Sequence, residues 1–339
     1  MTVNAGSSSL KLALVADGER IADEEIAAPG GKLDKDAFAT FAERRFDCSS
    51  HRVVHGGPRF RTATVVDDEV RLALGSLVDL APLHTQFALA ALDVVRDLAP
   101  DRPAIACFDT SFHATLPEAA RTYALPWDWI ERFGLRRYGF HGLNHGYVAR
   151  RAAQLLERPH VGLRIVSCHL GAGASLCAIV DGHSVDTTMG FTPLDGLVMA
   201  TRSGAVDPGL LLWLERHGGV SADELDDALE HRSGIAGLSG LSGDMKELLA
   251  AVDAGEARAR LAYDVYIHRL RAQIAAMVAS AGGIDALVFT GGIGEHSRRV
   301  RDDARRGLGL LGNAAVLVVE AREDLELAAQ ASQLIGAES

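Results

Sequence analysis

Long cations, imidazoles and one carboxylate recur in short strings that also carry a turn. They are Arg52 in HRVVHGG, His84 in LAPLH, Asp109 in FDTSFH, His141 in YGFHG, His169 in CHLG and Arg202 in TRSG. Four glycine-rich turns lie among them: Ala5-Gly6-Ser7-Ser8-Ser9, His55-Gly56-Gly57, Gly171-Ala172-Gly173-Ala174-Ser175 and Gly291-Gly292-Ile293-Gly294-Glu295. Glycine lets backbone amides converge on an anion, and serine hydroxyls add donors, so phosphate is the natural guest. Cations at strand ends beside such turns suit phosphoryl transfer, which is largely positioning and neutralisation of spread negative charge. Each feature alone has a plainer reading, an arginine as a solvated cation and a histidine as a structural one. Their recurrence beside apolar strands favours the chemical reading. There is no GxxxxGK[ST] string, and the Gly291 run misses GxGxxG because position 297 is Ser, so neither common phosphate fingerprint applies. His141 and His145 have metal-ligand spacing, but Gly142 stands where HExxH needs Glu.

The elements that must position these residues show an internal duplication. NAGSSSLKLALVADG (4–18) and LGAGASLCAIVDG (170–182) each run from small residues through an apolar strand to an Asp-Gly turn, Asp17-Gly18 and Asp181-Gly182. Each reads as a β-hairpin, because Asp-Gly suits a turn with positive φ at both central residues. Elsewhere helices and strands alternate. The patterns predict a helix over 86–98 ending before Pro100, a strand over 104–108 and a strand over 164–168. They also predict a long helix over 257–281, with apolar positions Leu261, Val265, Leu270, Ile274, Met277 and Val278, and a strand over 286–289. This is an α/β pattern of two mixed sheets, with a ligand crevice expected between two like domains.

Length and composition agree. At roughly 150 residues per domain, 339 residues make about two domains. Hydrophobic residues at 48% and charged ones at 23% supply ample core. A net charge of −11 would repel a nucleic-acid backbone, so no nucleic acid is expected as partner. The longest apolar runs, such as residues 314–319, fall far below the ~18 of a membrane span, and no leader pattern opens the chain. A soluble cytoplasmic protein with no membrane partner is expected. Cys48, Cys107, Cys168 and Cys177 form no CxxC pair and read as free thiols.

Taken together, NAGSSSLK (4–11), HRVVHGG (51–57), LAPLH (80–84), FDTSFH (108–113), RRYGFHG (136–142), CHLGAGAS (168–175), DTTMGFTPLDGLVMATRSG (186–204), SGIAGLSGLSGD (233–244) and DALVFTGGIGE (285–295) resemble the acetokinase family in its order. That family lies within the larger group of sugar kinases, heat-shock chaperone ATPases and actin. The resemblance implies an α/β fold: a duplicated two-domain actin-like ATPase, ribonuclease H-like, with mixed sheets flanked by helices. Residues 1–110 plus 324–339 would form the N-terminal domain and 111–323 the C-terminal one. The implied activity is Mg²⁺- or Mn²⁺-dependent, reversible transfer of the ATP γ-phosphoryl group to a short-chain carboxylate. Acetate comes first as acceptor and propionate second, and a weakened nucleotide-binding paralogue acting as sensor or interaction subunit is the rival. A homodimer is implied.

Residue by residue, the resemblance implies that Asn4 and Glu323 help hold the metal. Ser7, Ser9 and Lys11 would belong to a first phosphate turn, and His169, Leu170, Gly171, Ala172 and Gly173 to a second. Asp244, Met245 and Lys246 would approach the adenosine, and Gly291, Gly292, Ile293, Gly294 and Glu295 would run beside the nucleotide. Arg52, Asp109, His141 and Arg202 match the catalytic set. Arg52, Val54, Leu83, Phe140 and Pro193 match the pocket that receives the acid. There are departures: Ala172 replaces the Asn of HLGNG, Ala205 replaces an Asp, LAPLHTQF lacks an Asn-Pro segment, and the chain is short for the family.

Overall fold

The computed structural model describes residues 1–6, 9–27, 35–77 and 82–337, without the side chains of 35–37, 82–84 and 337. The chain divides into two compact units: Met1–Ala114 with Phe140–Tyr147 and Arg322–Ser339, and Thr115–Gly139 with Val148–Ala321.

The first unit is built on a sheet of β1 (Thr2–Ala5), β2 (Ser9–Ala16), β3 (Glu19–Ala27), β4 (Ser49–Val53), β5 (Thr64–Val65) and β6 (Ala104–Phe108), in the order β3-β2-β1-β4-β6-β5. β1, β4 and β6 are parallel neighbours, so their C-terminal ends line up along one edge. That edge is where open α/β sheets hold ligands. β6 is buried at all five positions, as a strand covered on both faces must be. Ala106 and Phe108 join Val53, Phe60, Leu74 and Leu92 on one side. Ile105 and Cys107 pack with Leu143, Leu327 and Ala331 on the other. The helix predicted over 86–98 starts earlier, at Pro82, and ends at Leu98 as expected.

The second unit carries β7 (Arg164–Leu170), β8 (Ala174–Val180), β9 (His183–Thr187), β10 (Ala286–Thr290) and β11 (Ala315–Val318), in the order β11-β10-β7-β8-β9. Read from its meander edge, this is β9-β8-β7-β10-β11, the order that β3-β2-β1-β4-β6 shows in the first unit. The duplication is therefore topological, and each predicted hairpin extends to a three-stranded meander. Asp17 and Gly18 have φ of 50° and 78°, and Asp181 and Gly182 have 54° and 81°, as a turn with two left-handed residues demands. The helix Ala257–Ser280 buries Tyr263, Tyr266, Ile267, Leu270, Ile274, Met277 and Val278. Leu261, expected on that face, is 57% exposed, because the buried stripe begins with Ala259, Ala262 and Tyr263 instead. Cys48, Cys107, Cys168 and Cys177 are all free thiols.

Two histidines in the first unit are stored neutral. Burial, reinforced by the N-terminal ammonium, pushes His51 down to about 3, and burial pushes His55 down to about 4. Unfolded, each takes up a proton near pH 6.5. Their contribution is therefore complete above pH 6.5 and is lost as pH falls through 5 toward those lower values, by up to about 1.4 kcal/mol per unit for each. Urea midpoints should drop steeply between pH 6.5 and 5, and His51→Gln or His55→Gln should flatten that limb. An equally steep limb in both variants would contradict this origin.

Candidate functional site

The ligand edge of the first sheet gathers charge. Asn4 sits near the end of β1, Arg52 near the end of β4, and Asp109 directly after β6. Arg52 Nε donates to both Asp109 carboxylate oxygens at 3.2 and 3.1 Å, and Nη2 donates to Oδ2 at 2.7 Å. Arg52 Nη1 donates to Asn4 Oδ1 at 3.2 Å and lies 3.5 Å from Glu323 Oε2. Asn4 Nδ2 closes the ring on Glu323 Oε2 at 2.6 Å. Glu323 is the first residue of the helix Glu323–Ala337, so Asn4, Arg52, Asp109 and Glu323 all belong to the first unit.

Burial gives the cluster its electrostatics. Asp109 is 1% exposed and Arg52 16%. Burial alone would lower the guanidinium, but Asp109 and then Glu323 outweigh it and hold Arg52 firmly protonated. Burial pushes the Asp109 carboxyl up, and the arginine bonded to both its oxygens opposes that push. The backbone fixes Asp109 as firmly as its side chain does. Its amide donates to Val53 at 3.1 Å, and its carbonyl accepts from Gly142 at 2.8 Å. A Cβ on Gly142 would lie 2.1 Å from that carbonyl oxygen, so no other residue fits there. His141, just before it, holds φ of 57°, a left-handed conformation that costs a non-glycine residue roughly 1 kcal/mol or more.

The remaining residues proposed for the first unit surround this edge. Phe140 is fully buried, and its ring meets that of His55 edge-on, with centroids 5.5 Å apart, beside buried Val54. Gly56 N donates to Thr110 Oγ1 at 3.1 Å, tying the Val54 loop to the segment after Asp109. Lys11 is exposed and pairs in register with Asn4, which puts both on one face. Ser9 Oγ donates to Glu25 at 2.7 Å, and its carbonyl accepts from Gly6 N at 2.9 Å. Ser7 and the side chain of Leu83 lie outside the described residues, as does that of His84.

The second unit assembles its glycine turns at the equivalent edge. His169 pairs with Ser175 and Leu170 with Ala174, leaving Gly171, Ala172 and Gly173 as the turn, closed by Gly171 N on the Gly173 carbonyl at 3.0 Å. Thr290 of β10 pairs with His169, and Gly291 then turns into the helix Gly291–His296 with φ of 78°. A Cβ on Gly291 would meet the Leu170 carbonyl at 2.8 Å, so the two proposed nucleotide segments touch. Gly292 and Ile293 reach the surface, whereas Gly294 is buried. Glu295 Oε1 accepts from Gly291 N at 2.8 Å and Ala321 N at 2.9 Å, so this side chain braces the turn. Ala200 links the Ala172 carbonyl, which accepts from its amide at 3.1 Å, to Gly243, whose Cβ position is 2.7 Å from the Ala200 carbonyl. Asp244 caps the helix Met245–Asp253 through the amides of Lys246 and Glu247. Lys246 is exposed, and Met245 faces the core. Arg202 Nε lies 3.1 Å from Glu230, and Nη1 donates to the Pro193 carbonyl at 3.3 Å.

Sequence reasoning missed Glu230, Thr110, Gly142 and His113. Thr110 and His113 stand in the same FDTSFH string as Asp109, which is signal enough. Gly142 follows His141 and opens the helix Gly142–Leu155. Glu230 lies 28 residues from Arg202 with nothing local to pair them.

Asn4 Oδ1 and Glu323 Oε2 are hard oxygen donors that both face Arg52 Nη1, at 3.2 and 3.5 Å, and it is Asn4 Nδ2 that bonds Glu323. That donor set suits Mg²⁺, which keeps several waters and takes one or two protein oxygens beside substrate phosphates.

Known proteins decide the family. A model described as the Acetokinase family matches residues 31–323. The chain belongs to that family. It is 50% identical over 266 residues to an acetate kinase of Nostoc punctiforme, covering 78% of this chain and 65% of the relative. It is 49% identical over 310 residues to an acetate kinase of Synechococcus, covering 85% and 76%. The chain thus spans 65% of the Nostoc punctiforme relative's length. Among solved structures, Porphyromonas gingivalis acetate kinase superposes with a TM-score of 0.90 at 30% identity, over 98% of each chain. A propionate kinase of Francisella tularensis does so at 0.88 and 30%, over 97% of each. A ROK hexokinase of Thermus thermophilus, 15% identical with a TM-score of 0.52, shares only the fold. These likenesses and the two mixed sheets give the chain the actin-like ATPase fold.

Removing Arg52 from this chain would strand Asp109 as an unpaired buried carboxyl, so Arg52→Ala should cost about 3 to 5 kcal/mol of unfolding free energy. Arg202 and Glu230 are 22% and 28% exposed, and Arg202→Ala should cost about 1 kcal/mol or less. Urea unfolding measures both, and equal costs would contradict the contrast.

Proposed function

We propose that this chain catalyses reversible transfer of the ATP γ-phosphoryl group to a short-chain carboxylate, with acetate giving acetyl phosphate and ADP. The observation that carries this reading is Arg52, half-buried at the ligand edge and aimed by Asp109. Relatives named acetate kinase support it.

The chemistry follows from charge. A carboxylic acid acceptor with a pKa near 4 is already ionised at pH 7 and attacks phosphorus without a general base. Asp109 is therefore proposed to orient Arg52 rather than to accept a proton, since its two oxygens are engaged by the guanidinium. The barrier is the approach of two anions. Arg52 and Arg202 supply compensating positive charge, and His141 donates a hydrogen bond to an equatorial phosphoryl oxygen. Arginines in such transition states contribute ~10³ to 10⁵ in rate. Val54, Leu83, Phe140 and Pro193 are assigned to the pocket for the acid's alkyl group. One methylene in such a pocket is worth only about 1 to 3 kcal/mol, which keeps propionate as runner-up, as the Francisella neighbour suggests.

Lys11, Ser7 and Ser9 are assigned to a first phosphate turn, and His169 to Gly173 to a second. Asp244 to Lys246 and Gly291 to Glu295 are assigned to the nucleoside side. Asn4 and Glu323 are the proposed holders of Mg²⁺, which when bound offsets charge on the phosphates. The domain division at residues 1–110 with 324–339 and 111–323, homodimerisation and a cytoplasmic location complete the reading.

The purified protein with ATP, Mg²⁺ and acetate should give an acyl phosphate that hydroxylamine traps. No product with acetate, propionate or butyrate would overturn the reading and favour a non-catalytic nucleotide binder. Arg202→Ala should lower kcat at least a hundredfold, against a few-fold for Leu83→Ala. Ala172 is exposed in its turn, so Ala172→Asn should restore a phosphate contact and raise kcat/KM roughly tenfold.

A further inference from the structure

His113 is a chemically capable residue that the mechanism above leaves unused. It lies in the short helical turn Ser111–Thr115, four residues after Asp109, and is fully buried. Its Nε2 is 3.0 Å from the carbonyl oxygen of Phe140. A carbonyl only accepts, so Nε2 carries the proton and donates. The ring is held in place by edge-on contacts with Phe112 and His145, at centroid distances of 5.9 and 5.8 Å, and the His113 amide donates to the Thr110 carbonyl at 3.2 Å.

What this bond fixes follows from peptide planarity. The Phe140 carbonyl and the His141 amide form one rigid plane, so anchoring that oxygen restrains the rotation that sets the 57° φ of His141. The next plane, His141 carbonyl with Gly142 amide, is anchored by Gly142 N on the Asp109 carbonyl at 2.8 Å. Both planes flanking His141 are thus held by the segment 109–113, one through a side chain and one through a backbone carbonyl. Both anchors lie in the first unit.

We propose that His113 is a positioning residue that clamps the peptide plane before His141, holding that imidazole in its left-handed conformation in register with the Asp109–Arg52 pair. The proposal rests on the phosphoryl-transfer reading for its effect on rate, but its effect on the backbone can be measured without substrate. His113 does not touch the reacting groups in this account. Its contribution reaches them through Phe140 and His141.

The test compares His113→Gln, whose side-chain amide still donates at similar reach, with His113→Met, of similar length but without a donor. Amide hydrogen exchange at Gly142, without substrates, should quicken about tenfold in His113→Met while β7 and β10 exchange as in the parent. kcat for acyl phosphate formation should fall about tenfold to a hundredfold in His113→Met, with KM for ATP within about twofold. His113→Gln should recover most of both. Parent-like exchange at Gly142 in His113→Met, or equal losses in the two variants, would overturn the proposal. Absence of acyl phosphate from the parent would instead overturn the phosphoryl-transfer reading, and the exchange contrast would still decide the role of His113.

Discussion

The ion pair of Arg52 with Asp109 is the constraint on which the rest of the site depends. A carboxylate with 1% exposure survives only if a cation is brought to it and its backbone is held still. The strand order meets the first need by setting β4 between β1 and β6, so that the guanidinium reaches Asp109 on one side and Asn4 on the other. The second need is met by Val53 and Gly142. The arginine is then a charge with one face spent on structure and the rest aimed by it, which is the preorganisation that anion chemistry exploits.

The two sheets share an order yet carry different chemistry at the same edge. In the first unit the strand ends present Asn4, Arg52 and Asp109, with Glu323 arriving from a helix. In the second they present glycine turns, where Gly291 lies against the backbone of Leu170 and Gly171 N is closed on the Gly173 carbonyl. One scaffold therefore carries fixed charge at this edge in one copy and glycine turns in the other. Charge suits an anionic acceptor, and amides suit phosphates.

Much of this was legible in the sequence, because the informative signals were local. Asp-Gly forced the meanders, the continuous apolar run Ala104–Phe108 forced a strand buried on both faces, and the glycine strings marked the turns. What was not legible depends on distance in the chain. Glu230 as partner of Arg202 and Gly142 as the only residue that fits against Asp109 both arise from segments brought together by folding. Leu261 was expected on the buried face of its helix, but Ala259, Ala262 and Tyr263 occupy that face and Leu261 is exposed. The proposed role of Met245 meets a packing constraint, since its side chain faces the core while Asp244 caps and Lys246 is exposed.

The claim that Asp109 acts by holding Arg52 has a direct test in a double-mutant cycle on acyl phosphate formation, with Arg52→Ala, Asp109→Ala and the pair. If the carboxylate works only through the guanidinium, its loss adds nothing once the arginine is gone, and the double variant should turn over as slowly as Arg52→Ala alone, within about threefold. Losses in kcat that multiply would show Asp109 acting on the reaction independently of Arg52 and would contradict the account.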